Sequence, residues 1–240
     1  SFGWKDDSVV RSAHTYDLLL GYGAPWQDMV KQSWRLQPEL FEDAKKAYLV
    51  SEYAIIGRQN PETEEAKIFI NKDSYELPNE ASALGECFRD DEWELSQAFQ
   101  ALCCDVATKQ LLRYDADGML WCCLWGGANN ASYLKPIVDF YGYKKLAYYS
   151  LKQAFQELVA FNERPDVLWG KNYEIKPMAC GLSYGKKYSL TITVISENQE
   201  IIAEKIYPAF TAKGERQSFE GWNPKLDDGY YIIQYQIEEQ

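Results

Sequence analysis

The sequence contains a single histidine and no long apolar run, and these two shortages exclude several classes of protein. One histidine in 240 residues excludes a histidine-rich metal centre, because such a centre draws several of its ligands from imidazole side chains. The longest uncharged apolar stretch, Gly118 to Ala128, is about half as long as a membrane-spanning helix requires. We therefore expect no metal, no cofactor and no membrane-spanning segment.

Basic residues are outnumbered as well. The chain has 25 Lys and Arg against 36 Asp and Glu, which gives a formal net charge of −11. A surface this acidic is repelled by phosphate backbones and by anionic membranes. We predict that nucleic acid is not a partner. The 46% of apolar residues is enough for a sizeable core in one or two domains and excludes a disordered chain.

Zinc-type cysteine spacing is also missing. The six cysteines include the adjacent pairs Cys103-Cys104 and Cys122-Cys123, and neither pair has the spacing or the histidine companions of a zinc site. Our interpretation is that the cysteines are small buried apolar residues, since free cysteine behaves as a core residue. A disulfide framework is the alternative.

Up to about residue 165, short apolar runs alternate with helical patterns. One predicted helix, Asp91 to Arg113, repeats apolar residues at helical spacing on a face made of Leu95, Phe99, Leu102 and Val106. Strand, helix and strand in this order predict βαβ units with a parallel sheet. The predicted strands are Val9-Val10, Ala47 to Val50 and Met119 to Trp125, and a second helix is predicted over Lys144 to Phe161.

Beyond Pro165 the helical period disappears. Ser189 to Ile195 alternates apolar and threonine residues, which is typical of a half-buried strand. Ile201 to Tyr207 and Tyr230 to Ile237 have the same character. We predict an α/β domain over residues 1–165 and a small antiparallel β-sandwich over residues 166–240.

The run Tyr48-Leu-Val-Ser-Glu-Tyr-Ala54 places a carboxylate at the C-terminal end of a predicted strand. In a (β/α)8 barrel, catalytic groups gather at that end. Glu52 could attack an anomeric carbon and form a covalent glycosyl intermediate. Alternatively, Glu52 caps a loop or pairs with a neighbouring cation.

Three segments together resemble the C-terminal half of a glycoside hydrolase family 2 enzyme, the group of β-galactosidases, β-glucuronidases and β-mannosidases. The family nucleophile lies in Ser-Glu-Phe/Tyr-Gly, which resembles Ser51-Glu52-Tyr53-Ala54. A later strand of the family resembles Asp117-Gly-Met-Leu-Trp-Cys-Cys-Leu-Trp125. The longest match is Ile137-Val-Asp-Phe-Tyr-Gly-Tyr-Lys-Lys-Leu-Ala-Tyr-Tyr-Ser-Leu-Lys152.

The resemblance implies the C-terminal portion of a TIM barrel followed by an immunoglobulin-like sandwich. It also implies a retaining exo-β-glycosidase with Glu52 as nucleophile and a carbohydrate as substrate. His14 would line the sugar subsite, or else bond to backbone as a structural histidine. Trp125 and Trp121 would form an aromatic platform for a pyranose ring, or else fill the barrel core.

The departures from the family pattern indicate an incomplete enzyme. The family acid/base is a glutamate in an Asn-Glu pair ahead of the nucleophile, whereas Asn79-Glu80 and Asn162-Glu163 both follow Glu52. Because the chain begins at Ser1 without methionine, we expect a parent protein that begins earlier and carries any export signal. The missing N-terminal part would be a partner, and unpaired sheet edges would favour self-association.

Two further departures support a different function. Ala54 replaces the family glycine, and Gly126-Gly127 replaces the usual Asn-Asp after the last barrel strand. The alternative is therefore a non-catalytic carbohydrate-binding or interaction module derived from such an enzyme.

Overall fold

The computed structural model describes residues 10–14, 47–53, 93–114, 116–121, 124–125, 136–139, 142–163 and 169–240. By its internal contacts the chain divides into two compact units, Ser1–Ala154 and Phe155–Gln240. The described elements are mostly β-strands with two helices. No helix among them is both long enough and apolar enough to cross a membrane.

The first unit contains a three-stranded parallel sheet. Its strands are β1 (Val10–His14), β2 (Ala47–Tyr53) and β3 (Gly118–Trp121), with β2 in the middle. Both pairs of neighbours run parallel, as the alternation of strands and helices predicts. Because the strands are parallel, their carboxyl ends meet at one edge of the sheet.

Two helices accompany this sheet in the chain, α1 (Trp93–Arg113) between β2 and β3, and α2 (Leu146–Ala154) after β3. The two helices pack against each other. The buried cluster in this unit comprises Ala101, Cys104, Ile137 and Ala147, with Trp121, Tyr148 and Leu151 packed around it.

The predicted apolar face of α1 is wrong in part. Leu95 is 57% exposed, whereas Gln97 and Gln100 are buried. Short or flexible side chains such as Cys104 let the two helices pack against each other, and one of the two buried glutamines bonds to the facing helix. Gln97 Oε1 accepts the backbone N–H of Leu146 at 3.3 Å. Close approach to α2 therefore decides which face is buried, rather than the position of the largest apolar residues.

The cysteine prediction is confirmed where the structure describes the residues. Cys103, Cys104 and Cys180 are free thiols and are buried. Burial also raises the pKa of the Cys103 and Cys104 thiols, because an apolar site disfavours the thiolate. Cys122 and Cys123 lie outside the described residues.

Two predicted boundaries in the middle of the chain are wrong. The predicted helix over 144–161 ends at Ala154, and β4 (Val159–Asn162) follows it. The run Val159 to Phe161 is continuously apolar, and its helical spacing is weak. The run therefore forms a strand that pairs with residues 177–180 rather than extending the helix. Likewise β3 ends at Trp121, short of the predicted Trp125. Leu120 in β3 is exposed, because alternation places it on the opposite face from Trp121.

The second unit is built from two antiparallel three-stranded sheets, consistent with a β-sandwich. The strands after β4 are β5 (Pro177–Cys180), β6 (Lys187–Ser196), β7 (Ile201–Thr211), β8 (Arg216–Ser218) and β9 (Tyr231–Glu239). One sheet has the order β4-β5-β8 and the other β7-β6-β9. The predicted strands at 189–195, 201–207 and 230–237 are confirmed as β6, β7 and β9.

The core of the second unit is formed by residues of both sheets. Leu190, Ile192 and Val194 alternate along β6 and are fully buried, as the sequence pattern predicts. Ile175 and Ala179 belong to the same cluster as Leu190 and Ile192. Burying each such aliphatic side chain contributes about 1.5–3 kcal/mol, so this cluster is the main source of stability of the unit.

Candidate active site

Glu52 is the second-last residue of β2, the central strand of the parallel sheet. His14 is the last residue of β1, and the two are register partners across the pair. Neighbouring strands lie about 4.8 Å apart. The backbones of His14 and Glu52 are therefore adjacent at the carboxyl edge of the sheet.

The pairing is irregular at this point because β2 contains one extra residue. Against β1, the register advances from Val50 to Glu52 while β1 advances by one residue, from Ala13 to His14. Against β3, it advances from Val50 to Tyr53 while β3 advances only from Met119 to Trp121. Both neighbours thus locate a bulge in the Ser51-Glu52 region. Bulges locally re-aim side chains and are enriched next to active sites.

Trp121 is the register partner of Tyr53, on the other side of β2 from His14. The sheet therefore brings the backbones of three of the four predicted site residues to one edge. The Trp121 side chain is half-buried and packs against the cluster that contains Cys104, Ile137 and Ala147, which is the packing of a core residue. Its role in binding a sugar stays a prediction.

Trp125, the fourth predicted residue, has a different environment. Its side chain is 58% exposed, and its backbone forms an isolated parallel bridge with Val138. The N–H of Val138 donates to the carbonyl of Leu124 at 2.9 Å. Trp125 is thus held by a short backbone pairing just beyond β3 and presents aromatic surface.

The turn after Val138 involves two residues whose importance the sequence analysis missed. Asp139 is buried, and its Oδ1 accepts the N–H of Tyr143 at 2.7 Å. Lys145 is also buried, and its N–H donates to the carbonyl of Ile137 at 2.9 Å. These contacts fix the segment that pairs with Trp125. The signal present in the sequence was the pair of charged residues, Asp139 and Lys145, inside the largely apolar and aromatic segment 137–152.

Lys145 is an unusual core residue. Burial lowers the pKa of its ammonium to about 7, and the attraction of the Asp139 carboxylate opposes that shift only in part. An ammonium removed from water is disfavoured relative to the neutral amine. The turn therefore contains a group that titrates near neutral pH.

The three parallel strands contain few acidic residues, and this limits the reactions that their carboxyl edge could catalyse. Glu52 is the only acidic residue in β1, β2 and β3. Ala54, Gly126-Gly127 and Asn79-Glu80 lie outside the described residues. Among the described side chains no group of three His, Cys, Asp or Glu residues could hold a metal ion. The three strands thus place one glutamate and one histidine opposite each other in the backbone register at this edge.

No protein-family model matches the chain, and no curated protein matches it. Its fold is nevertheless similar to part of a glycosidase of known structure. That structure is the crystal structure of β-D-mannosidase from Dictyoglomus thermophilum, with a TM-score of 0.55 and 13% sequence identity. The match covers 95% of this chain but only 28% of the mannosidase. The chain thus shares its fold with a little over a quarter of that protein.

Proposed function

We propose that the chain is the C-terminal part of a retaining exo-β-glycosidase that hydrolyses terminal β-linked sugars. In this proposal β1, β2 and β3 belong to a (β/α)8 barrel completed by an earlier part of the parent protein. The observation that carries it is the pairing of His14 with Glu52 at the carboxyl edge of a parallel sheet, next to a bulge. The fold likeness to a β-D-mannosidase over 95% of the chain supports it.

Glu52 would act as the nucleophile. Its carboxylate attacks the anomeric carbon, the bond to the leaving oxygen breaks, and water later hydrolyses the glycosyl ester. Retaining hydrolysis needs a second carboxyl group about 5–5.5 Å away to protonate the leaving oxygen and then to activate water. That acid/base would come from a strand that precedes this chain in the parent.

The neighbouring residues would bind the sugar. His14, beside Glu52 in the register, would donate a hydrogen bond to a sugar hydroxyl. The exposed ring of Trp125 would stack on the apolar face of the pyranose. Trp121, packed against the core, would support the edge of the sheet and take a smaller part in contacting substrate.

The first substrates to test are aryl β-D-mannosides, because the matched structure is a β-D-mannosidase. Aryl β-galactosides and β-glucuronides form the comparison set. The net charge of −11 disfavours the anionic glucuronide. Hydroxyl contacts decide among neutral sugars, and most of them would come from the missing part of the barrel.

A covalent trap tests the nucleophile in the intact parent. A 2-deoxy-2-fluoro glycosyl fluoride has a leaving group that needs no protonation, and its fluorine slows hydrolysis of the ester. We expect mass spectrometry of the digested parent to find the sugar on the peptide that contains Glu52. A label on another carboxylate would refute the assignment.

A non-catalytic carbohydrate-binding module is the second candidate. The replacement of the family glycine by Ala54 and of Asn-Asp by Gly126-Gly127 favours it. The two candidates differ in the parent sequence. For a retaining glycosidase, the family resemblance implies an Asn-Glu pair on a strand before Glu52, whereas a binding module needs no acid/base.

A further inference from the structure

The second unit contains a cleft far along the chain from Glu52. It lies between the segment 169–173, which precedes β5, and the segment 223–231, which leads into β9. Its volume is ≈ 490 Å³, within the range of about 300–1,000 Å³ that is typical of small-molecule sites. The cleft is therefore large enough for one or two sugar rings.

The two walls are joined by side-chain hydrogen bonds to backbone. Asn223 Nδ2 donates to the carbonyl of Lys171 at 3.0 Å, across the cleft. Asn223 Oδ1 accepts the N–H of Lys225 at 2.8 Å, and Lys225 has a left-handed φ of 52°. Because one amide ties both segments, the cleft is formed before any ligand arrives. Such preorganisation reduces the entropy lost on binding.

One wall is a fixed pair of aromatic rings. Trp169 and Tyr173 stack with centroids 4.3 Å apart and planes 14° apart. Asn162 Nδ2 donates to the Tyr173 hydroxyl at 2.7 Å, and Trp169 also packs against the core of the unit. These contacts hold both rings in one orientation.

The other wall carries two tyrosines. Tyr230 is 68% exposed. The Tyr231 ring lies close to Gly229, where its hydroxyl would be 3.2 Å from an added Cβ, so a larger residue there would push the ring by a few tenths of an ångström. Aromatic residues line both sides of the cleft, and Tyr230 has most of its surface available to a ligand.

Charged groups of both signs complete the lining. Lys171 supplies a donor, and Asp227 and Asp228 supply acceptors. Sugar hydroxyls donate and accept, so they can use both kinds of group. A phosphate would be repelled, because two carboxylates and only one ammonium line the cleft. A lipid tail would find few aliphatic side chains to pack against. The composition is best matched by a neutral polyhydroxylated ring.

We propose that this cleft is a second carbohydrate site, which binds a β-linked oligosaccharide without hydrolysing it. The apolar face of one sugar ring stacks on Tyr230, while its hydroxyls donate to Asp227 or Asp228 and accept from Lys171. The site serves to hold a polysaccharide chain near the parent enzyme. The choice of a β-mannan probe rests on the proposed function, but the cleft does not involve Glu52.

The test is a titration of the complete 240-residue chain with β-1,4-mannohexaose, with cellohexaose in parallel, followed by two-dimensional amide NMR. We expect shifts at the backbone amides of Gly170 and Gly229 and at the Asn223 side-chain amide. Tyr230→Ala should weaken binding about tenfold, as the loss of a stacked ring predicts. The matched control is Tyr184→Ala, because Tyr184 is 82% exposed and lies away from the cleft; its affinity should equal that of the wild type.

Two results would overturn the proposal. The first is that millimolar concentrations of both sugars leave the cleft signals unmoved; if a tetralysine peptide shifts those signals instead, the cleft is a cation site. The second is that Tyr230→Ala and Tyr184→Ala bind equally well. None of these results bears on Glu52, and loss of the Glu52 assignment in the parent would leave sugar binding at the cleft intact.

Discussion

His14 and Glu52 are register partners at the ends of two adjacent parallel strands, and β2 bears one extra residue beside this pair. A parallel register brings together two residues that are 38 positions apart in the chain. The bulge interrupts regular alternation at the carboxylate itself. Together these features make the sheet edge the best candidate for catalysis in the first unit.

The isolated chain should hydrolyse aryl β-glycosides negligibly. Its described parallel strands supply one carboxylate, and retention requires a nucleophile together with an acid/base. The measurement is the release of nitrophenol from aryl β-mannoside, β-galactoside and β-glucuronide by the purified 240 residues. Robust turnover of any of the three would show that the chain is not an incomplete enzyme.

Stability should rise with pH between about pH 7 and pH 9 because of Lys145. Its ammonium has a folded-state pKa of about 7 and an ordinary value of 10.5. In this window the unfolded chain holds a proton that the folded chain has released, so the free energy of unfolding increases by up to about 1.4 kcal/mol per pH unit. Below pH 7 the cost of burying the charge is present in full.

The free energy of unfolding should stop rising near pH 9. Burial raises the pKa values of the Cys103 and Cys104 thiols, so above their ordinary values these thiols ionise only in the unfolded chain and lower stability. Urea denaturation followed by helical circular dichroism measures the slope, since both described helices belong to the first unit. Lys145→Met should remove the rise. An identical slope in the variant would contradict a titrating Lys145.

Gly181→Ala should destabilise the second unit severely. Gly181 has a φ of 81°, and an added Cβ would overlap the carbonyl oxygen of Glu157. The backbone of either Gly181 or Glu157 must therefore move, and we expect this movement to lower the free energy of unfolding by about 3 kcal/mol or more. Gly185→Ala is the matched control, because Gly185 has a φ of 80° but open space around it. It should lose only about 1 kcal/mol from backbone strain, and equal losses in the two variants would refute the steric argument.

The isolated chain should self-associate. Leu120, Leu124 and Trp125 are exposed apolar residues at or just beyond β3, in the part of the first unit where a barrel would continue. Light scattering should report a mass above 27.7 kDa that depends on concentration. Leu124→Lys should reduce the association, whereas Tyr184→Lys in the second unit should not. A monomer at all concentrations would argue against a barrel fragment.

The sequence predicted the second unit better than the first, for a physical reason. In β6 one face is buried, and in β9 one face is half-buried and the other exposed, so period-two alternation appears directly in the residues. In α1 the buried face includes Gln97 and Gln100, which no apolar pattern reveals. The exception within the second unit is β4, which forms because β5 is available to pair with it, and that partner lies beyond the local window.

Prediction of the candidate site from the sequence is limited in the same way, because some of its features depend on residues distant in the chain. The position of Glu52 near the end of a strand could be predicted, because the apolar run before it is a local signal, and its role as nucleophile stays a prediction. The bulge could not be predicted, since it exists only relative to the registers of β1 and β3. The cleft in the second unit depends on Trp169 and Tyr230, which are distant in sequence and meet only after the sandwich has folded.

The most direct test of the account is the activity of Glu52→Gln in the intact parent protein. This replacement keeps the shape of the side chain and removes the nucleophilic oxygen anion. We predict that kcat/KM for an aryl β-glycoside falls by at least about a thousandfold, while the thermal unfolding midpoint is unchanged. Glu163→Gln, which alters the glutamate of the Asn162-Glu163 pair, should retain full activity. A Glu52→Gln parent with activity within a few-fold of the wild type would contradict the assignment of Glu52 as nucleophile.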